Sequence, residues 1–411
     1  MTSVHRIRGY TVVLHPTKMK VIRVECAVNA GFLNETESTS GIHHLLEHIL
    51  ANAFKACNDN CSRYWQRRGV EMNASTDTTM MEYHAEGVLE DTADIIKYII
   101  NISTRPDIKL STIKHEKEAI IDELLAEAND ESQQLLDVFS KRFYRGGIRY
   151  QEDCHLQVAN LSKLSVEDVK RVYQSEFNRN NMLYLVSGKF NAKDVLGYFD
   201  RLLPKSQAVA PVPYQCFSYK REIVFIPRKG ASSTEMHIGF PTTLQINQGM
   251  YYYISPMLWM LESIMFDVLR AEHHLVYYIT WEYEVNSCGV SVFGVVNVRN
   301  ENVKRCFELI LSILKRLAVH PYPAHYIEAA KKIEQKKYYK SRDKPEFYTN
   351  QYLSQMGTTP IIVSRKHQLE RVMQMTAKDL METHRHVFNL EYMLVVYQGK
   401  SMAGIEPALR V

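Results

Sequence analysis

The run Gly41-Ile-His-His-Leu-Leu-Glu-His-Ile-Leu50 places His44, Glu47 and His48 in the pattern H-x-x-E-H. The residues between them are apolar and no Gly or Pro follows Gly41, so the segment is expected to be a helix. On a helix, positions i, i+3 and i+4 share one face. Two imidazoles one turn apart can then grip one metal ion with a carboxylate beside them, the minimum equipment for activating a water with zinc. A solvated surface helix can carry the same residues by chance. Against that, Leu45, Leu46, Ile49 and Leu50 predict a buried helix, and buried imidazoles and carboxylates need partners that a metal ion supplies.

A catalytic zinc takes three protein ligands and leaves a fourth position for water. The third ligand is expected from Lys114-His-Glu-Lys-Glu-Ala-Ile-Ile-Asp-Glu-Leu-Leu125, where Ala119, Ile120, Ile121, Leu124 and Leu125 form an apolar stripe. Glu116 and Glu123 stand two helical turns apart and so lie on one side of such a helix. Glu118 and Glu127 are alternatives that spacing alone leaves open.

These two segments closely resemble the zinc-site region of the pitrilysin, insulinase and mitochondrial processing peptidase family. In that family a downstream helix carries two Glu separated by six residues, and Glu116 and Glu123 match the pair. The resemblance implies that His44, His48 and Glu123 hold one Zn2+ per chain, that Glu47 is the general base, and that Glu116 supports the ligands from behind. It runs nearly the whole length. Val24-Glu-Cys-Ala-Val-Asn-Ala-Gly31 is similar to the strand before the zinc helix, and Gly69-Val-Glu-Met-Asn-Ala-Ser-Thr76 to the substrate-edge strand, with Asn73 and Ala74 at the family positions. Asn160–Asp168 and Asn181–Gly188 resemble the last helix and strand of the first domain, and Arg270 and Tyr277 match an Arg/Tyr pair in the second. Three features depart from the pattern. His43 stands where a small residue is usual, His274 where a Gly is usual, and Ala51–Arg68, with Cys57 and Cys61, is atypical.

By the same resemblance, Glu47 takes a proton from water as it attacks a peptide carbonyl and passes it to the leaving amine. Tyr277 stabilises the oxyanion and Arg270 positions the substrate, while the peptide adds as an extended strand beside Asn73–Thr76. Half-length chains of this family pair into a clamshell chamber. Because this chain keeps both the zinc motif and the Arg/Tyr pair, the expected partners are a peptide substrate and a second copy in a homodimer. The competing reading is a non-catalytic family member that acts as scaffold, companion subunit or peptide-binding protein.

Composition sets the frame for these motifs. At 411 residues the chain suits two domains rather than one core, and 45% hydrophobic with 23% charged residues is an ordinary globular composition. A net charge of +4 is too weak to argue for nucleic acid or an anionic membrane. No stretch reaches the ~20 apolar residues needed to span a bilayer. Seven scattered cysteines point to a reducing compartment rather than a disulfide framework. Cys57-x-x-x-Cys61 lacks the second pair a structural metal would need. No apolar signal core precedes the first expected strands, Tyr10–Leu14 and Met19–Val28, which leads us to expect a cytoplasmic protein.

The chain also repeats itself. Leu164-Ser-Val-Glu-Asp-Val169 parallels Met375-Thr-Ala-Lys-Asp-Leu380, Phe177-Asn178 parallels Phe388-Asn389, and Met182–Val186 parallels Met393–Tyr397, all at an offset of about 211 residues. We therefore expect an α+β chain of two tandem homologous domains, each a mainly antiparallel sheet packed against helices. The expected boundaries are 1–205 for the domain with the zinc site, 206–220 for a Pro-rich linker, and 221–411 for the second domain. Ser165 and Thr376 are expected to cap paired helices. The offset carries His44, Glu47 and His48 to Ser255, Leu258 and Trp259, so the second copy keeps the apolar stripe without the ligands. His273-His274 and His384-x-His386 lack carboxylate partners in sequence and are expected at the surface.

Overall fold

Short runs of alternating and fully apolar residues build two sheets in a computed structural model of the chain. It describes residues 2–57, 60–129, 131–144, 153–205, 219–242, 249–286, 289–345, 364–401 and 405. Those within Met1–Asp130, Tyr150–Gln215 and Ser341–Met356 form one compact unit, and those within Glu131–Arg149, Cys216–Lys340 and Gly357–Val411 a second. The expected linker lies, up to residue 218, outside the described residues.

The first unit holds β1 (Ser3–Ile7), β2 (Tyr10–Pro16), β3 (Val21–Val28), β4 (Glu71–Thr76), β5 (Met81–Val88) and β6 (Met182–Gly188), in the spatial order β1-β2-β6-β3-β5-β4. The β1–β2 hairpin turns on Arg8 and Gly9, both at positive φ, the backbone that a two-residue turn matching strand twist requires. β6 is buried along its whole length and lies inside the sheet, parallel to β2 and antiparallel to β3. β4 is an edge strand with alternating exposure. On one face pack the helices Ile42–Ala51, Thr92–Thr104 and Leu110–Ala128. They bury Leu45, Leu46, Ile49 and Leu50 from the first, Ile95, Ile96 and Ile99 from the second, and Ile113, Ile120 and Leu124 from the third. The stripe expected on the third helix is narrower than the sequence suggests: Ala119 and Leu125 face solvent.

The second unit repeats this order without the first strand. β7 (Glu222–Pro227), β8 (Ser233–Pro241), β9 (Val276–Asn286), β10 (Gly289–Arg299) and β11 (Leu394–Gly399) run β7-β11-β8-β10-β9, again with one parallel pair, β7 and β11. Ser165 and Thr376 each close a capping box, with Asp168 and Asp379, at the start of the helices Val166–Glu176 and Ala377–Val387. The α+β duplication inferred from the sequence offset is thus present in strand order, strand direction and helix caps. The helix Glu131–Phe143 groups with the second unit, where Phe139 and Phe143 lie against Gly239 of β8.

Two sequence expectations are corrected. Cys57 and Cys61 are joined by a disulfide, so the cysteines are not all thiols; Cys26, Cys154 and Cys306 are free and buried. His384 is in the core rather than at the surface, at 1% exposure, because it finds partners the sequence cannot reveal: Leu314 O 2.8 Å from Nε2 and Tyr322 Oη 2.8 Å from Nδ1. His273, His274 and His386 are exposed as expected. Among the described residues no helix is long and apolar enough to cross a membrane.

A Cβ on Gly239 would come within 2.6 Å of both Phe139 and Phe143. Gly239→Ala is therefore expected to destabilise the chain by about 1–3 kcal/mol through overpacking; an unchanged denaturation midpoint would show that the helix does not sit there. His384 gives a pH prediction. Its Nε2–H donates to a carbonyl, so Nδ1 accepts from Tyr322 and the ring is neutral. Burial, against the pull of the Leu314 carbonyl, pushes its pKa down to about 4. The unfolded chain therefore takes up this proton first, near pH 6.5, as the pH falls. The stabilisation is complete above that pH and is lost on descending toward 4, an effect of about 3 kcal/mol. His384→Gln keeps a donor and an acceptor without titrating, so its unfolding free energy should fall less than wild type between pH 7 and 4.5. Parallel curves would refute a buried neutral imidazole.

Candidate metal centre

The His44 helix starts at Gly41, whose φ of +93° suits glycine and lets the chain turn into the helix. The Glu35 carboxylate closes its N-terminus, accepting from Gly41 N–H at 2.9 Å and His43 N–H at 3.0 Å. With the apolar stripe buried, His44, Glu47 and His48 are left partly exposed on one face. The two rings stand edge to face with centroids 4.9 Å apart. The Leu110–Ala128 helix brings Glu123 to them, its Oε2 lying 3.9 Å from His44 Nε2 and 3.8 Å from His48 Nε2. One ligand atom from each of the three residues falls within 4.8 Å of the others. Glu118 and Glu127, the alternatives by spacing, are exposed and outside this group.

Glu116, two turns before Glu123, accepts from His48 Nδ1 at 3.1 Å. That bond fixes the proton on Nδ1 and leaves Nε2 with its lone pair toward Glu123. Burial opposes protonation of His48, but the Glu116 hydrogen bond and the charges of Glu47, Glu116 and Glu123 outweigh it and raise its pKa. For His44, burial wins over the Glu47 charge, and with His48 nearby its pKa is lowered. The Glu47 carboxylate makes no hydrogen bond among the described residues. Asn73 and Ala74 lie on β4, opposite His84 and Tyr83 of β5, with Asn73 exposed. Arg270 and Tyr277 belong to the second unit. Arg270 donates to Val276 O at 2.9 Å and Tyr277 is 53% exposed.

Sequence reading flagged His43 only as a departure. It is fully buried between two carboxylates, with Nδ1 3.0 Å from Glu35 and Nε2 2.8 Å from Glu176. Burial disfavours its charge, but Glu176 and Glu35 together push its pKa up to about 10. A buried histidine announces that partners exist; nothing in the sequence says that one of them closes the helix Val166–Glu176. The amide of Asn52, which donates to Glu116 at 3.2 Å, was also missed.

Two family models match the sequence: Insulinase (Peptidase family M16) over residues 11–149, and Peptidase M16 inactive domain over residues 163–334. The mitochondrial-processing peptidase subunit beta of Neurospora crassa is 21% identical over 206 residues, covering 48% of this chain and 42% of that protein. The chain thus matches less than half the length of that relative. A protease from Helicobacter pylori has the same fold with a TM-score of 0.84 at 15% identity, over 97% of this chain and 99% of that one. The periplasmic protease PqqL from Escherichia coli matches at TM-score 0.78 and 14% identity, over 100% of this chain but 48% of that one. The family models follow one another along the sequence, and the fold is shared over nearly its full length: the chain belongs to the M16 peptidase family.

Proposed function

We propose that this chain is a zinc-dependent endopeptidase acting on small or unfolded peptides bound as an extended strand. The observation that carries the reading is the convergence of His44 Nε2, His48 Nε2 and Glu123 Oε2. Two imidazole nitrogens and one carboxylate oxygen are a donor set that zinc accepts. Ligand atoms each about 2.0–2.1 Å from a tetrahedral ion stand about 3.4 Å apart. The separations of 3.8 and 3.9 Å are close enough for a small inward shift of Glu123, which is 47% exposed and free to move. When bound, zinc supplies a Lewis acid that polarises a carbonyl and lowers the pKa of water.

The chain's own residues do the rest. Glu47, one residue before His48 and without a hydrogen-bond partner among the described residues, takes the proton of the attacking water and delivers it to the leaving nitrogen. Glu116 holds His48 in the tautomer that leaves Nε2 free. The outer edge of β4, next to the His44 helix, offers main-chain groups to an extended peptide, with Asn73 and Ala74 in that edge. Arg270 and Tyr277 keep the substrate-positioning and oxyanion roles that the family resemblance gives them. The match to an inactive domain spans residues 163–334 and so leaves out His44, Glu47, His48 and Glu123; it agrees with a second copy that has lost its ligands. PqqL, which spans two lengths of this chain, supports pairing of two copies into a chamber.

Elemental analysis should find about one zinc per chain, and chelation should abolish cleavage of a mixed peptide library read by mass spectrometry. Glu47→Gln should retain zinc while kcat falls about 10²–10⁴-fold. A metal-loaded wild type that cleaves no unfolded peptide would defeat the enzymatic reading in favour of capture without turnover. Glu123→Gln should weaken zinc binding at least tenfold, whereas Glu118→Gln should leave it unchanged. The reverse order would mean that the wrong acid has been assigned.

A further inference from the structure

The C-terminal end of the His44 helix carries a hydrogen-bond chain of which the zinc reading uses only the last link, from Glu116 to His48. Asn52 caps that helix. Its Oδ1 accepts from the backbone N–H of Cys61 at 3.2 Å, and its Nδ2 donates to Glu116 Oε1 at 3.2 Å and, more weakly, to His48 O at 3.4 Å. The other oxygen of Glu116, Oε2, accepts from His48 Nδ1. The amide orientation is forced. A backbone N–H must meet an oxygen and a carboxylate must meet a donor, so only one flip satisfies both neighbours. The far end is fixed as well, because Cys61 is fully buried and bonded to Cys57. The relay runs from an anchored backbone amide through Asn52 and Glu116 to His48.

We propose that Asn52 is a positioning residue for the metal centre: it holds the Glu116 carboxylate in the one rotation that presents Oε2 to His48 and thereby keeps His48 Nε2 aimed at the ion. The proposal rests on the zinc reading above. A carboxylate bonded only to His48 can swing about its own axis. A second donor on the opposite oxygen removes that freedom before metal arrives, which is how groups behind the ligands raise affinity. Asn52 lies within Ala51–Arg68, the stretch that departs from the family pattern.

Reversing the polarity of the pair tests it. Asn52→Asp still accepts from Cys61 N–H but faces Glu116 with a second carboxylate and no donor. Asn52→Asp/Glu116→Gln restores complementarity, since the new amide can donate to position 52 and accept from His48. Zinc dissociation constants are measured on the full-length apo protein by competition with a chromophoric chelator, beside apo melting temperatures. We expect Asn52→Asp to weaken zinc about tenfold and the double variant to bind more tightly than Asn52→Asp. A merely structural Asn52 gives additive losses that track apo melting temperature; that result overturns the proposal. So does an Asn52→Asp protein that binds zinc like wild type. A wild type that binds no zinc fails separately, by removing the metal centre itself.

Discussion

The candidate site depends on docking two helices from separate parts of the chain to within the span of one ion. Neither helix can do this by local preference. Ile42, Leu45, Leu46, Ile49 and Leu50 seat the first in the core, and Ile113, Ile120 and Leu124 seat the second. Once both are seated, Glu47, Glu116 and Glu123 crowd around two imidazoles, of which burial pushes one toward neutrality. Such a group is short of positive charge, the condition that the proposed reading meets with a divalent cation.

The His43 cluster solves a related problem at the other end of the same helix. A cation at a helix N-terminus opposes the helix dipole, so a buried imidazolium there is tolerable only between carboxylates. Glu35 serves twice, as acceptor for the first helical N–H groups and for His43 Nδ1, while Glu176 takes Nε2. The arrangement ties the end of the Val166–Glu176 helix to the start of the His44 helix. Buried ion groups of this kind add little net stability, because desolvation offsets attraction. What they add is a single allowed placement, which matters when the next residue along, His44, must point at a shared centre.

How far the sequence could be read follows from the range of each interaction. The H-x-x-E-H face, the capping boxes at Ser165 and Thr376, and the short apolar strands are decided by residues within a turn or two, and they stand in the structure where spacing places them. The two-unit duplication was legible because the same local signals recur in register. The width of the stripe on the Glu123 helix was misread because Ala119 and Leu125 are apolar without being covered. The Cys57–Cys61 pair is visible at its four-residue spacing and only its oxidised state is not; His384 and the partners of His43 escaped for one reason. Each is settled by a neighbour that only the fold supplies: Leu314 and Tyr322 for the first, Glu176 for the last.

The second unit shows that this fold does not of itself demand a metal. At the sequence offset of the repeat, Ser255, Leu258 and Trp259 replace His44, Glu47 and His48 on the helix Tyr251–Met265, yet Glu334 still stands where Glu123 does, on the helix Ala324–Ser341. Glu334 is not left uncompensated. Ser255 Oγ donates to it at 3.3 Å and Lys337 Nζ lies 2.7 Å away. An ammonium one helical turn along thus supplies the positive charge for this carboxylate, and an indole fills the place of an imidazole. The same strand order therefore supports opposite solutions to one electrostatic problem. In the first unit the carboxylate faces two neutralisable nitrogens, a set that on the proposed reading takes its cation from solution; in the second the cation is built into the chain. On that reading the difference between the two units lies in four side chains on one pair of helices, while the repeated sheet supplies the scaffold on which either solution can stand.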